Sequence, residues 1–260
     1  MGKAEKEKVR LGGMALANGV LVHGPTSWAC AVRTDDGKIK VVARRKRLLG
    51  SKVTSPLLRG PARLAEAFAF LPDVKRALPE AQLPFARGRV LTGMLGSAVV
   101  LNIARRARLN GVAKELLNGL MAFAPAVLSL REGEIAAYHG AEHIAIGSYE
   151  HGEKRAREHE RCGTHLVGPL VVTTTAANVL ASRAPLRFRP AARAAAAVGA
   201  LAASTEVFGW MQRNPEHPFA RALAKPGHEF QHRIATAEPT RAQLQVAEAA
   251  LSACLELEES

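Results

Sequence analysis

The chain is poor in aromatic side chains, in cysteine and in acid. Phe, Trp and Tyr make up 5% of its 260 residues, with two Trp and two Tyr in all. A β-sandwich or barrel would draw on more aromatic and β-branched bulk. Ala, Leu and Val must fill this core, and that mix favours closely packed helices. The three cysteines, Cys30, Cys162 and Cys254, are odd in number, far apart and form no CxxC pair. That argues against a disulfide framework and for a reducing, cytoplasmic setting. Acidic residues number 23 against 36 Lys and Arg, a formal charge of +13. Such a surplus suits polyanionic partners, an anionic membrane surface or nucleic acid, although a solubilising arginine-rich surface explains it as well. The scarcity of aromatics and the lack of any RNA-binding motif weigh against nucleic acid.

Long apolar runs are also scarce. The uncharged stretches 90–104 and 116–130 are each about 15 residues, short for a membrane span and ordinary for a buried helix. Residues 162–182 are long enough at about 21, but they include His165, Pro169, three consecutive threonines and Asn178. A soluble or membrane-touching protein is expected ahead of a true span. The first residues are charged and lack an apolar centre, so no secretory signal is expected.

What the chain does have is a concentration of histidine. Five of its nine histidines lie between Tyr138 and His165, with Cys162 among them. His139 and His143 are four apart, so on a helix they leave one face and can grip one ion. Glu142 stands between them, where a carboxylate could take a proton from metal-bound water. The pattern His-x-x-Glu-His is the reverse of the zincin motif. Cys162 as thiolate is a strong zinc ligand, and His159, three residues before it, could complete a closed structural site. Glu206, in an apolar helical stretch, is costly unless partnered. It is a candidate remote ligand, partner to an imidazole or general base; a salt bridge to an arginine is its plainer reading. Cys162 could instead be a nucleophile, in an electropositive setting that would favour the thiolate.

Around this centre, Asp36-Gly37 between two β-type runs predicts a hairpin over 27–42. Residues 11–20 read as a flexible, glycine-punctuated segment. The basic run Arg44-Arg45-Lys46-Arg47 reads as a solvated strand end. Helices are expected over 61–71, 89–109, 111–130, 132–149, 166–180, 190–212 and 240–258, the last opened by a Thr240–Gln243 capping box. Pro215, Pro218, Pro226 and Gly227 read as a loop. The expected architecture is mainly α (α+β). A small N-terminal β-hairpin unit (1–50) packs on a multi-helix bundle (51–260) carrying the metal site between the motif helix and the Glu206 helix.

Tyr-His-Gly-Ala-Glu-His at 138–143, Tyr149-Glu150 and His159-Glu160-Arg161-Cys162-Gly163-Thr164 resemble the YqhQ family, the bacterial domain of unknown function 1385. So do the glycine-rich start (11–20), Pro56-Leu57-Leu58-Arg59-Gly60, Thr205-Glu206 and the stretch 235–247. Met14, Asn18, Ile144 and Glu160 depart from that pattern. The resemblance implies a metal-dependent enzyme, often with membrane-embedded helices. Residues and resemblance together lead to the expectation of a zinc hydrolase acting on a small-molecule or peptide substrate. Its metal ligands would come from His139, His143, His159, Cys162 and Glu206, with Glu142 as general base. The alternatives are a basic binding module for RNA, ribosome or anionic membrane with a structural metal knot, and an iron or copper redox enzyme. Self-association is expected if the apolar helices are not all covered.

Overall fold

The computed structural model describes residues 8–47, 52–84 and 134–260, with isolated positions between 92 and 130. The helices expected over 89–109 and 111–130 lie largely outside the described residues.

Four strands, β1 (Gly12–Leu16), β2 (Gly19–His23), β3 (Ser27–Arg33) and β4 (Ile39–Arg45), form one antiparallel meander in chain order. The Asp-Gly hairpin joins β3 to β4, with Gly37 at φ +80°, where only glycine sits without strain. The segment expected to be flexible is instead the β1–β2 hairpin, registered from Gly12↔His23 to Leu16↔Gly19. Its Gly and Ala residues have weak strand propensity, but the middle strands β2 and β3 are buried on both faces, and packing outweighs propensity there.

The two faces differ in grain. Ala15, Ala17, Val20, Val22, Ala29 and Ala31 make a small-residue face against α3 (Ile135–His151) and α7 (Arg241–Glu259). Leu16, Leu21, Trp28, Cys30 and Val32 make a bulkier face against Phe70 and α2 (Leu71–Ala77). The capping box of α7 forms as expected, with Thr240 Oγ1 accepting from Gln243 N–H and Gln243 Oε1 from Thr240 N–H at 2.8 Å. At its far end Glu258 accepts from the backbone N–H groups of Thr26 and Ser27 at 2.9 and 2.6 Å, tying this last helix to the β2–β3 turn. Within the basic run, Lys46 departs from the solvated reading: its side chain is buried and meets Glu66 at 3.0 Å.

The remaining helices are α1 (Pro56–Ala69), α4 (Val167–Ser182), α5 (Arg189–Arg213) and α6 (Pro218–Phe230). Helix α1 opens at Pro56, five residues earlier than expected, and carries Pro61 inside it. Helices α4 and α5 form an antiparallel hairpin joined through a 3-10 turn at Leu186–Phe188, and α1 lies on α5. Helix α6 corrects the loop expected around Pro215–Gly227. Pro218 occupies its first turn, where a missing N–H costs nothing, and Pro226 is tolerated inside it because α6 packs closely on the turn Gly163–Leu166. The architecture is α+β: a helical bundle with a small N-terminal antiparallel sheet.

Two stretches, Gly163–Ser182 and Leu186–Arg213, are long and apolar enough to cross a membrane by length and composition, and only 22% of the most apolar 18-residue window of each is fully buried. Leu180, Leu186, Phe188 and Val198 stand exposed along them.

Candidate metal centre

Helix α3 carries the motif. Its spacing puts His139 and His143 one turn apart, with ring centroids 4.3 Å apart and edge to face. His143 is buried, and burial lowers its pKa, opposed by the Cys162 contact. Each ring is oriented by a backbone carbonyl. His139 Nδ1 donates to the Ala235 carbonyl at 2.8 Å, and His143 Nδ1 donates to the Arg157 carbonyl at 2.6 Å. A carbonyl oxygen can only accept, so both Nδ1 atoms carry the proton and both Nε2 atoms keep a free lone pair. This is the arrangement that outer partners impose on metal-binding imidazoles.

Cys162 comes from the segment between α3 and the turn Gly163–Leu166, and its Sγ lies 3.5 Å from His139 Nε2. The ligand atoms of His139, His143 and Cys162 all fall within 4.8 Å of one another. Among the described residues this group is the one that could hold a metal ion, and its nitrogen and sulfur donors suit zinc-like cations.

Two close approaches build the site. A Cβ on Gly140 would strike the Ala237 carbonyl, so this glycine lets the 235–239 stretch run against α3 and bring Ala235 to His139. A Cβ on Gly13 would overlap the Glu142 carboxylate, so β1 needs glycine where it faces the helix. Glu142 is buried beneath that strand, and burial raises its pKa while the nearby histidines His139 and His159 pull it down. Among the described residues no protein donor hydrogen-bonds its carboxylate. Glu142, His139, His143 and Cys162 line one cavity of about 170 Å³, closed by Leu11, Gly12 and Gly13.

His159 and Glu206 stand apart from the group. The His159 ring lies 5.5 Å from that of His143, but its Nε2 is engaged by Glu150 at 2.9 Å, and Arg161 takes the other Glu150 oxygen. His159 therefore borders the cavity as the partner of a carboxylate. Glu206 on α5 is held by Arg59 of α1, with Nε donating at 2.7 Å and a second contact from the same guanidinium. The guanidinium satisfies this carboxylate, and Glu206 is not a member of the histidine–cysteine group. The site is closed by the glycine edge of β1 rather than by the Glu206 helix. The segments Arg59-Gly60 and Thr205-Glu206 meet each other in this ion-paired contact, because a Cβ on Gly60 would overlap Thr205.

One lining residue was not expected. His23, opposite Gly12 on the neighbouring strand, reaches the cavity past the glycines. Burial and the charge of Lys46 push its pKa down to about 4, so it stays neutral. The sequence signal for it was the Gly12-Gly13 pair, which leaves room for side chains from both faces of the sheet. Beyond His159 and Arg161 the cavity adjoins a polar cleft of about 340 Å³, lined also by His151, Arg155, Glu158 and Gln212.

Neither a curated protein nor a solved structure matches the chain. A family model described as "Protein of unknown function (DUF1385)" matches residues 109–257, more than half of the chain, including all three members of the histidine–cysteine group. By that match the chain belongs to the DUF1385 family.

Proposed function

We propose that this protein is a metal-dependent hydrolase in which His139 Nε2, His143 Nε2 and Cys162 Sγ hold a divalent cation, zinc by the softness of the donors. The observation that carries the reading is the pair of fixed imidazole tautomers, both leaving Nε2 free beside the thiol. Three protein donors are the number found in catalytic zinc sites, whereas structural sites have four. The fourth donor proposed from sequence, His159, lies outside this group and has its Nε2 engaged by Glu150. A cation held there would acidify a bound water and polarise a substrate carbonyl or phosphoryl group. Glu142 then accepts a proton at its carboxylate and returns it to the leaving group; burial raises its pKa, which favours a carboxylate that takes up and holds a proton. Strand β1 shields this carboxylate from bulk water, and the polar cleft beyond His159 receives the rest of a small-molecule or peptide substrate.

The test is metal content of tag-free protein. Wild type should carry about one equivalent, His139→Ala, His143→Ala and Cys162→Ala should each lose most of it, and Glu142→Gln should keep it while losing turnover of ester, amide or phosphoester probes. Near-zero metal in wild type would sink the reading. An absorption spectrum of the native protein separates zinc from iron or copper.

A second reading concerns where this happens. Arg183, Arg187, Arg189 and Arg193 cluster at the turn of the exposed, apolar α4–α5 hairpin. Apolar helices tipped with arginine fit an anionic bilayer surface. Sedimentation with phosphatidylglycerol vesicles but not with phosphatidylcholine vesicles is the expected outcome; recovery in the supernatant with both removes this reading.

A further inference from the structure

The loop that carries Cys162 has little regular structure between the end of α3 and the turn Gly163–Leu166, yet it must hold a thiol against two imidazoles. The group that pins it is Gln231, a polar side chain with 0% exposure. Its Oε1 accepts from the His159 backbone N–H at 3.0 Å. Its Nε2 donates to the His159 carbonyl at 3.1 Å and to Thr164 Oγ1 at 2.6 Å, and lies 3.1 Å from His165 Nδ1. An N–H can only donate and a carbonyl can only accept, so the amide orientation is decided by its partners. These contacts straddle Cys162 in the chain, on His159 before it and on Thr164 and His165 after it.

Gln231 is also the first residue of a π turn, Gln231–Ala235, that continues α6. The turn is closed where Thr236 N–H and Oγ1 each donate to the Gln231 carbonyl at 3.0 Å. Its last residue, Ala235, supplies the carbonyl that orients His139. A π turn inserts a residue without ending the helix, and such insertions recur at functional sites because they re-aim side chains. Here one five-residue turn reaches two ligands that come from different elements.

We propose that Gln231 is a positioning residue that sets the Cys162 thiol against His139 and His143. It touches no ligand atom and acts through the loop it clamps. The inference rests on the metal-binding reading for its purpose, but the clamp can be measured without metal.

Three variants divide the contacts. Gln231→Met keeps the bulk and removes all the hydrogen bonds. Gln231→Glu keeps the acceptor for His159 N–H and loses the donors. Thr164→Val removes one acceptor and should fold even if the other two do not. Two readouts apply. One is titration of the metal-free protein with cobalt(II), following the thiolate-to-cobalt absorption band. The other is the rate of Cys162 alkylation by iodoacetamide without metal, readable because Cys30 and Cys254 are buried. Gln231→Met should weaken cobalt binding by about 10- to 100-fold, the range typical of outer partners of metal ligands, with a weaker thiolate band. It should also speed alkylation severalfold. Gln231→Glu should be intermediate and Thr164→Val smaller in the same direction. Cobalt binding with wild-type affinity, band and alkylation rate in all folded variants overturns the inference and leaves the metal reading intact. Faster alkylation in the variants, with no cobalt uptake even by wild type, retains the clamp and ends the metal reading.

Discussion

The sheet with its covering helices and the α4–α5 hairpin are built from similar residues, largely Ala, Val and Leu, yet they meet opposite surroundings. In the first, strands β2 and β3 are buried almost residue for residue, and glycines at 13 and 140 let backbones and a carboxylate come into direct contact. In the second, few residues are fully buried, and Val172, Leu180, Leu186, Phe188 and Val198 stand exposed. An apolar composition therefore says that a segment leaves water, but not whether protein or another medium receives it.

Substitution can break this comparison. The largest effect is expected at Gly140→Val. The new side chain would meet the Ala237 carbonyl, which cannot retreat without moving the His139 partner, and a loss of about 3–5 kcal/mol should appear in the denaturation midpoint. A midpoint within about 0.5 kcal/mol of wild type would mean that the close packing of α3 is not as described.

Acid offers an intermediate test. His23 titrates near 4 in the folded protein against 6.5 unfolded, so it is neutral when folded in the window where the unfolded chain takes up a proton. The stability this represents is present above pH 6.5 and is lost as pH falls towards 4, by about 3 kcal/mol over the window. Burial lowers His143 and His159 in the same direction, which should steepen the fall. Urea midpoints measured from pH 7 to 4 should decline for wild type, and His23→Gln should flatten the slope. An equal slope in the variant removes His23 from the acid response.

The smallest effect is expected on the hairpin. Leu180→Ser replaces a side chain that is 64% exposed and should change stability in solution by less than about 0.5 kcal/mol. The same substitution should reduce binding to anionic vesicles, and a loss of more than 2 kcal/mol in solution would show instead that protein covers this face.

The candidate site was legible where chemistry follows from local spacing. His139 and His143 share a helical face because 3.6 residues make a turn, and Glu142 follows from the same geometry. Cys162 was legible as a type, a good ligand close by in sequence, but its distance to His139 was not. Glu206 illustrates the limit: a carboxylate in an apolar helix needs a partner, and the sequence could not decide between a metal, an imidazole and Arg59. The β1–β2 hairpin and helix α6 were missed for one reason. Glycine and proline weaken local preference, and contacts with residues distant in the chain supply what preference lacks. Gln231 carries no local mark of function at all, and His23 is signalled only by the glycines of the neighbouring strand; each becomes relevant through what faces it.

By itself the sequence determined the helical character, the Asp-Gly hairpin, the capping box of the last helix and the two imidazoles one turn apart, because each depends on residues a few positions from one another. Tertiary structure alone decided that Cys162 reaches those imidazoles while Glu206 pairs with Arg59, which backbone carbonyls set their tautomers, and that a glycine strand roofs the cavity. Those contacts join segments far apart in the chain, and whether two such segments meet depends on how the whole core packs rather than on any local preference.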